Sequence, residues 1–155
     1  MTVNLPLPAG SGDATYRAAF GRMVLPIARA FAPELILISA GQDASTMDPD
    51  GRMCLTSNAY RWMTSALMGV ADEACEGRLV ILQEGGYAEL YAPYCTLGII
   101  ESLTGFRTHV HEPQDLAYLE GRPEIAVVGP GAAVALNDIE AIQAQYWPVV
   151  SKRPG

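Results

Sequence analysis

LILISAGQD, residues 35–43, and LVILQEGGY, residues 79–87, decide the fold. Residues 35–38 and 79–82 are aliphatic without in-and-out alternation, the pattern of strands covered on both faces. Each run then breaks into small residues, Ser39-Ala40-Gly41 in one and Gly85-Gly86 in the other. Just past each break stands one polar side chain with a use in chemistry, Asp43 and Tyr87.

Working outward, the segments around these runs have helical spacing. After LPLPAGSG, Asp13 caps a helix on which Tyr16, Phe20, Met23, Val24, Ile27 and Phe31 recur at helical intervals. Pro26 is expected to kink it and Pro33 to end it. Residues 43–52, rich in Asp, Ser, Pro and Gly, read as loop. Thr56 opens a second helix with Tyr60, Met63, Leu67, Val70, Ala71 and Ala74 on one face and Gly77 just past its end. A third carries Leu90, Tyr94, Leu97 and Ile100 and stops at Gly105. The order helix, strand, helix, strand, helix implies parallel strands joined by right-handed crossovers, an α/β sheet with flanking helices. Beyond Gly105, residues 106–124 read as surface loop and IAVVG, 125–129, as a short strand, while Asn137 or Asp138 caps a last helix through Ile139, Ile142 and Tyr146. No repeat or linker divides the chain, so residues 1–155 are expected to form a single domain.

The chain has 155 residues, half of them hydrophobic and 17% charged, enough to bury a core. Its net charge of -7, with no Lys/Arg cluster, excludes a nucleic-acid backbone as the expected partner and favours cationic or neutral ligands. Cys54, Cys75 and Cys95 are an odd, widely spaced set without a CxxC, and the start lacks the layout of a signal peptide. Reduced thiols in a cytoplasmic protein are the expectation. No apolar run approaches the roughly 20 residues that cross a bilayer, so no membrane is expected.

In parallel α/β sheets, ligands gather at the carboxyl ends of the strands. There Asp43 has the chemistry of a metal ligand or base, Tyr87 can donate a hydrogen bond to a developing oxyanion, and Gly85 and Gly86 permit close backbone approach. On generic grounds a solitary Asp after a strand is more often a turn former, and Gly-Gly-Tyr more often only a turn. His109 and His111 would share a strand face, but in a polar, Pro-flanked loop they read as loop residues rather than a metal pair. Asp48 and Asp50 read as loop solvation or capping.

SAGQDASTMDPDGRMCLTSNAY (39–60) followed by LVILQEGGYAELYAPY (79–94) resembles the carboxyl-terminal part of the zinc-dependent deacetylases, which include the acetylpolyamine amidohydrolases and class II histone deacetylases. The opening at 3–41, GFRTHVHEP at 105–113 and IEAIQAQYWP at 139–148 agree with it. The resemblance implies an arginase-like parallel-sheet fold. It makes Asp43 a zinc ligand and Tyr87 the group that polarises the scissile carbonyl and stabilises the tetrahedral intermediate, with Gly85 and Gly86 lining the substrate channel. Zinc would act as a Lewis acid and activate water against an acetyl-lysine or acetylpolyamine amide. Gln42 stands where the family has Phe and Ser45 where it has His, positions implied to shape the channel wall.

That family places two more zinc ligands, an Asp-x-His pair, and a His-His acid/base pair upstream, whereas the 42 residues before Asp43 contain no His. One carboxylate is expected to hold zinc poorly, and the isolated chain to be inactive. Three readings follow: a carboxyl-terminal enzyme piece completed by an amino-terminal deacetylase piece, a remnant whose incomplete sheet serves as a homo-oligomer or partner-binding module, or a small-molecule binder at the Asp43/Tyr87 cleft.

Overall fold

The computed structural model describes residues 2–112 and 115–151, so part of the loop read at 106–124 lies outside the described residues. The chain enters through one helix in three parts: α1 (Asp13–Ala19), a π-helical turn (Phe20–Val24) and α2 (Leu25–Phe31). Pro26, at the first turn of α2, has no N–H to give the preceding turn. The widened turn before it, in which the Leu25 N–H reaches back to the Phe20 carbonyl, is how the helix accommodates the proline. Ala32, left-handed at φ 51°, closes α2 just before Pro33.

Strand β1 (Ile36–Ala40) and strand β2 (Leu79–Gln83) pair in parallel, from Ile36 opposite Leu79 to Ala40 opposite Gln83. Helix α3 (Ser57–Cys75) crosses between them and α4 (Ala92–Thr104) follows β2. Thr56 caps α3 as expected, and Gly105, left-handed at φ 69°, ends α4. The buried side of α4 is one position off the expected one: Cys95 and Ile99 join Tyr60, Leu55 and Tyr91 in the core, while Ile100 is exposed and Leu90 lies before the helix.

Asp13 does not cap its own helix, whose N-cap is Gly12. Its buried carboxylate instead accepts from the Thr56 backbone N–H at 2.9 Å and the Thr56 hydroxyl at 2.6 Å, so it anchors the start of α3. We expect Asp13→Ala to cost about 2 kcal/mol in urea unfolding, because it strands two buried donors.

The strands are not covered on both faces. Ile38, Ala40 and Ile81 pack inward, but Leu37 (63% exposed), Val80 (48%) and Leu82 (49%) point the other way into solvent. Their apolar character is that of a sheet with a second covering layer, and the described residues leave them about half exposed or more.

The carboxyl-terminal third departs most from the sequence reading. Residues 106–124 are not all loop, since α5 (Leu116–Glu120) and α6 (Pro123–Ala126) form there; IAVVG is no strand, because Ile125 and Ala126 complete α6. Next, α7 (Pro130–Gln143) starts at Gly129 and Pro130, well before Asn137, and α8 (Pro148–Ser151) closes the described chain. Asn137 sits inside α7, where its side-chain oxygen accepts from Arg22 at 2.7 Å, while Leu136 and Ile139 pack on Met23 and Ile27. Within residues 123–143 an 18-residue window reaches a mean hydropathy of 1.4, yet the stretch is two helices. The 14 residues of α7 span about 21 Å, short of the roughly 30 Å of a bilayer core.

Glu101 on α4 is 6% exposed and gathers the loop after it. It accepts from the Thr108 hydroxyl (2.6 Å) and N–H (2.8 Å) and from the Arg61 guanidinium (2.7 and 3.1 Å). The Thr108 hydroxyl is the strongest influence; with the Thr108 N–H and Arg61 it overcomes the cost of burial and lowers the carboxyl from 4.5 to about 2. A folded pKa below the unfolded one stabilises above the unfolded value, and that contribution is lost as pH falls from about 4.5 towards 2. We expect Glu101→Gln to cost about 2 kcal/mol at neutral pH, with the gap to the unmodified protein narrowing in acid unfolding below about pH 4.

Candidate functional site

The parallel ladder does not stop where β1 and β2 end. The Glu84 N–H donates to the Ala40 carbonyl at 3.1 Å and the Gln42 N–H to the Gly85 carbonyl at 2.5 Å, which carries the two chains side by side into their loops. The consequence is that Asp43 and the Gly-Gly-Tyr turn emerge together at the carboxyl end of the sheet. A Cβ on Gly85 would lie 2.4 Å from Asp43 Oδ2, so the carboxylate rests against the bare glycine. Gly86, at φ 140°, packs on Gln42 in the same way, with 2.7 Å from a built Cβ to the Gln42 Cβ. Gly51 passes so close beneath the loop that a Cβ there would sit 1.7 Å from the Asp43 carbonyl oxygen.

Among the described residues nothing donates a hydrogen bond to the Asp43 carboxylate. It lies at the rim of a cavity of about 350 Å³ between the sheet and the helices, walled by Phe20, Ile38, Met63 and Ile81 and by the rings of Tyr16 and Tyr60. The Tyr60 hydroxyl is buried without a partner among the described residues. Burial pushes its pKa up, helped by the Asp43 charge, and burial followed by that same charge raises Tyr16. Both phenols therefore stay protonated, and both line the same cavity as Asp43.

Tyr87 is placed differently. Its backbone belongs to the cluster, but the residue is 59% exposed and does not line the cavity beside Asp43. The sheet thus brings together Asp43, Gly85, Gly86 and the Tyr87 main chain, and leaves the phenol at the open surface. Gln42 and Ser45, expected to shape a channel wall, are 0% and 1% exposed and are packed beneath the loop. His109 and His111 are both exposed, as loop residues.

Asp48 is the residue that sequence reasoning underrated. The sequence suggests loop solvation or capping, and Asp48 does hold its own turn, accepting from the Asp50 and Gly51 N–H groups at 3.0 Å. Its other oxygen, however, accepts from the Tyr87 N–H at 2.7 Å and the Ala88 N–H at 3.3 Å. Partners about 40 residues away leave no local trace, and only the Asp-Pro pair marked the position as a turn.

The histone deacetylase domain profile matches residues 1–103, which include both strand tips. The chain belongs to the histone deacetylase domain family. It is 37% identical to histone deacetylase 8 of Arabidopsis thaliana over 94% of this chain and 37% of that protein. It is 43% identical to the histone deacetylase-like amidohydrolase of Pseudomonas aeruginosa over 72% of this chain and 29% of that protein. The structure of the histone deacetylase Clr3, of Schizosaccharomyces pombe, superposes on 99% of this chain with a TM-score of 0.79 at 37% identity, and the match covers 23% of that chain. The fold is therefore a portion of the deacetylase fold, a parallel sheet with flanking helices, and the part outside the profile is covered by the structural likeness. The chain spans about a third of the length of the two curated relatives.

Zinc is the cofactor generally associated with histone deacetylase domains. A catalytic zinc takes three protein ligands and keeps a fourth position open. Among the described residues no three of His, Cys, Asp and Glu come together as a ligand set, and Asp43 stands as a single donor. The residues present do not by themselves make that centre.

Proposed function

We propose that this chain carries the Asp43/Tyr87 portion of a zinc-dependent amidohydrolase site that removes acetyl groups from acetyl-lysine or acetylpolyamines, and that an amino-terminal deacetylase piece supplies the remaining ligands and the acid/base pair. The observation that carries this reading is the meeting, at one end of the sheet, of an Asp43 carboxylate that has no hydrogen-bond donor among the described residues and the bare Gly85 against which it rests. A turn-forming Asp would spend its oxygens on backbone N–H groups, as Asp48 does. An oxygen left open is what a metal ligand needs. In the completed site Tyr87 donates its phenolic proton in a hydrogen bond to the oxygen of the carbonyl under attack. The net charge of -7 favours the cationic chains of lysine and polyamine substrates.

The test has two parts. The reading frame upstream of Met1 should encode Asp-x-His and His-His segments, and the protein extended to include them should hydrolyse an acetyl-lysine peptide or an acetylated diamine in the presence of zinc. The chain of 155 residues alone should not. An extended protein with no amidase activity on either substrate would refute the proposal.

A second reading is favoured by the uncovered sheet. Leu37, Val80 and Leu82 form an exposed apolar face, and each strand has one unpaired edge among the described residues. On this reading the chain by itself is a homo-oligomer that covers the face with a second copy. Sedimentation should show association that rises with concentration and is abolished by Leu37→Lys with Val80→Lys. A monomer at every concentration tested would remove this reading.

A further inference from the structure

We propose that Asp48 is a positioning residue for Tyr87: its carboxylate ties the turn that carries the tyrosine to the loop that carries Asp43. The inference rests on the reading of Tyr87 as the carbonyl-polarising group, and it adds what holds that group in place.

A carboxylate offers about four lone-pair sites. Asp48 fills them with four backbone N–H groups, from Asp50 and Gly51 at 3.0 Å on one oxygen and from Tyr87 at 2.7 Å and Ala88 at 3.3 Å on the other. An Asp that served only its own turn would need the first pair alone. Among the described residues no other backbone hydrogen bond secures the turn where it matters: the last ladder bond is at Gly85, and the next main-chain bonds belong to Tyr91 and Ala92, which donate to Ala88. The tyrosine ring, more than half exposed, has little packing to fix it. The direction in which it leaves the backbone is therefore set by the two bonds to Asp48. Bonds to an ionised acceptor are about twice as strong as neutral ones, which suits a tie made by only two of them. Burial works against the Asp48 charge, but the four donors outweigh it and hold the carboxyl below its ordinary range.

Ala at this position removes both carboxylate oxygens and with them the acceptors of all four N–H groups. In the chain of 155 residues, Asp48→Ala should speed hydrogen exchange of the Tyr87 and Ala88 amides about tenfold or more, while the Val70 and Ala71 amides in the core of α3 stay within about twofold. In the extended zinc-loaded protein the same variant should lower kcat about tenfold or more with KM changed less than about threefold, as expected when a reacting group is misaimed rather than lost. Exchange that changes at Asp50 and Gly51 but not at Tyr87 and Ala88 would overturn the proposal. A direct coupling between the Tyr87 amide nitrogen and the Asp48 carboxyl carbon, measured in the unmutated chain, tests the contact without any variant, and its absence would also overturn it. Failure of the underlying reading is separable: full activity in Tyr87→Phe would remove the role of the phenol whatever the amides of its turn report.

Discussion

Tyr87→Phe should leave the fold untouched and lower kcat of the extended protein by about 10²–10³-fold, the loss measured when one oxyanion donor is removed from an acyl-transfer site. The structure separates the two effects. Tyr87 is 59% exposed and has no part in either buried cluster, so removing its hydroxyl takes nothing from the core. The backbone N–H that Asp48 holds is also unchanged. Thermal unfolding of the variant should match that of the parent within a degree or so, and KM should move little, because the hydroxyl acts on charge that develops only in the transition state. Unfolding losses comparable to those of Asp13→Ala would mean that the tyrosine has a structural role, and a kcat near the parent value would sink the catalytic one. Tyr60 is the natural control. Its hydroxyl is buried without a partner among the described residues, so Tyr60→Phe should keep or slightly raise stability.

The portions of the fold that were legible in the sequence are those whose signals are local. Thr56 ahead of an apolar-periodic run marks the start of α3, and Gly105 marks the stop of α4, because capping and left-handed closure are decided within a few residues. The two strand tips were legible for a similar reason, as aliphatic runs broken by small residues. Misreadings arose where two structures share one local pattern. IAVVG is a short apolar run whose length suits a strand or a helix end, and packing against α1 and α5 decides for the helix. At α7, Gly129-Pro130-Gly131 looks like a break, although Pro in the first turn is a start signal, and reading it so would have placed the helix correctly.

What was illegible depends on pairs far apart in sequence. Asp13 reaches Thr56, Asp48 reaches Tyr87, and Arg22 reaches Asn137, each with a side chain whose own neighbourhood suggests only a cap or a solvated face. The strands show the converse. Their sequence describes two covered faces, whereas the described residues cover one. Leu37, Val80 and Leu82 are apolar as in a covered face and yet exposed, and no local pattern in the sequence distinguishes the two.

Gly85→Ala is the variant that separates the site from the fold most cleanly. Its backbone is not in the left-handed region, so alanine is conformationally acceptable there and the difficulty is one of space. The added Cβ would meet Asp43 Oδ2 at 2.4 Å and Cγ at 3.0 Å, both in a side chain that can rotate away. Relief therefore costs little stability, about 1 kcal/mol, but it displaces the one carboxylate that the proposed centre draws from this chain. Bound zinc and activity of the extended protein should both fall, activity by about 10²-fold or more, since an error of about 1 Å in a reacting group costs that much. Gly51→Ala offers the contrast. There the Cβ would sit 1.7 Å from the main-chain oxygen of Asp43, which no rotamer can move, so the loop must shift and stability should fall with activity. If Gly85→Ala kept full activity, Asp43 would not be held where the proposal needs it. If it unfolded the chain as Gly51→Ala does, the glycine would be there for the fold and the close approach to the carboxylate would be incidental.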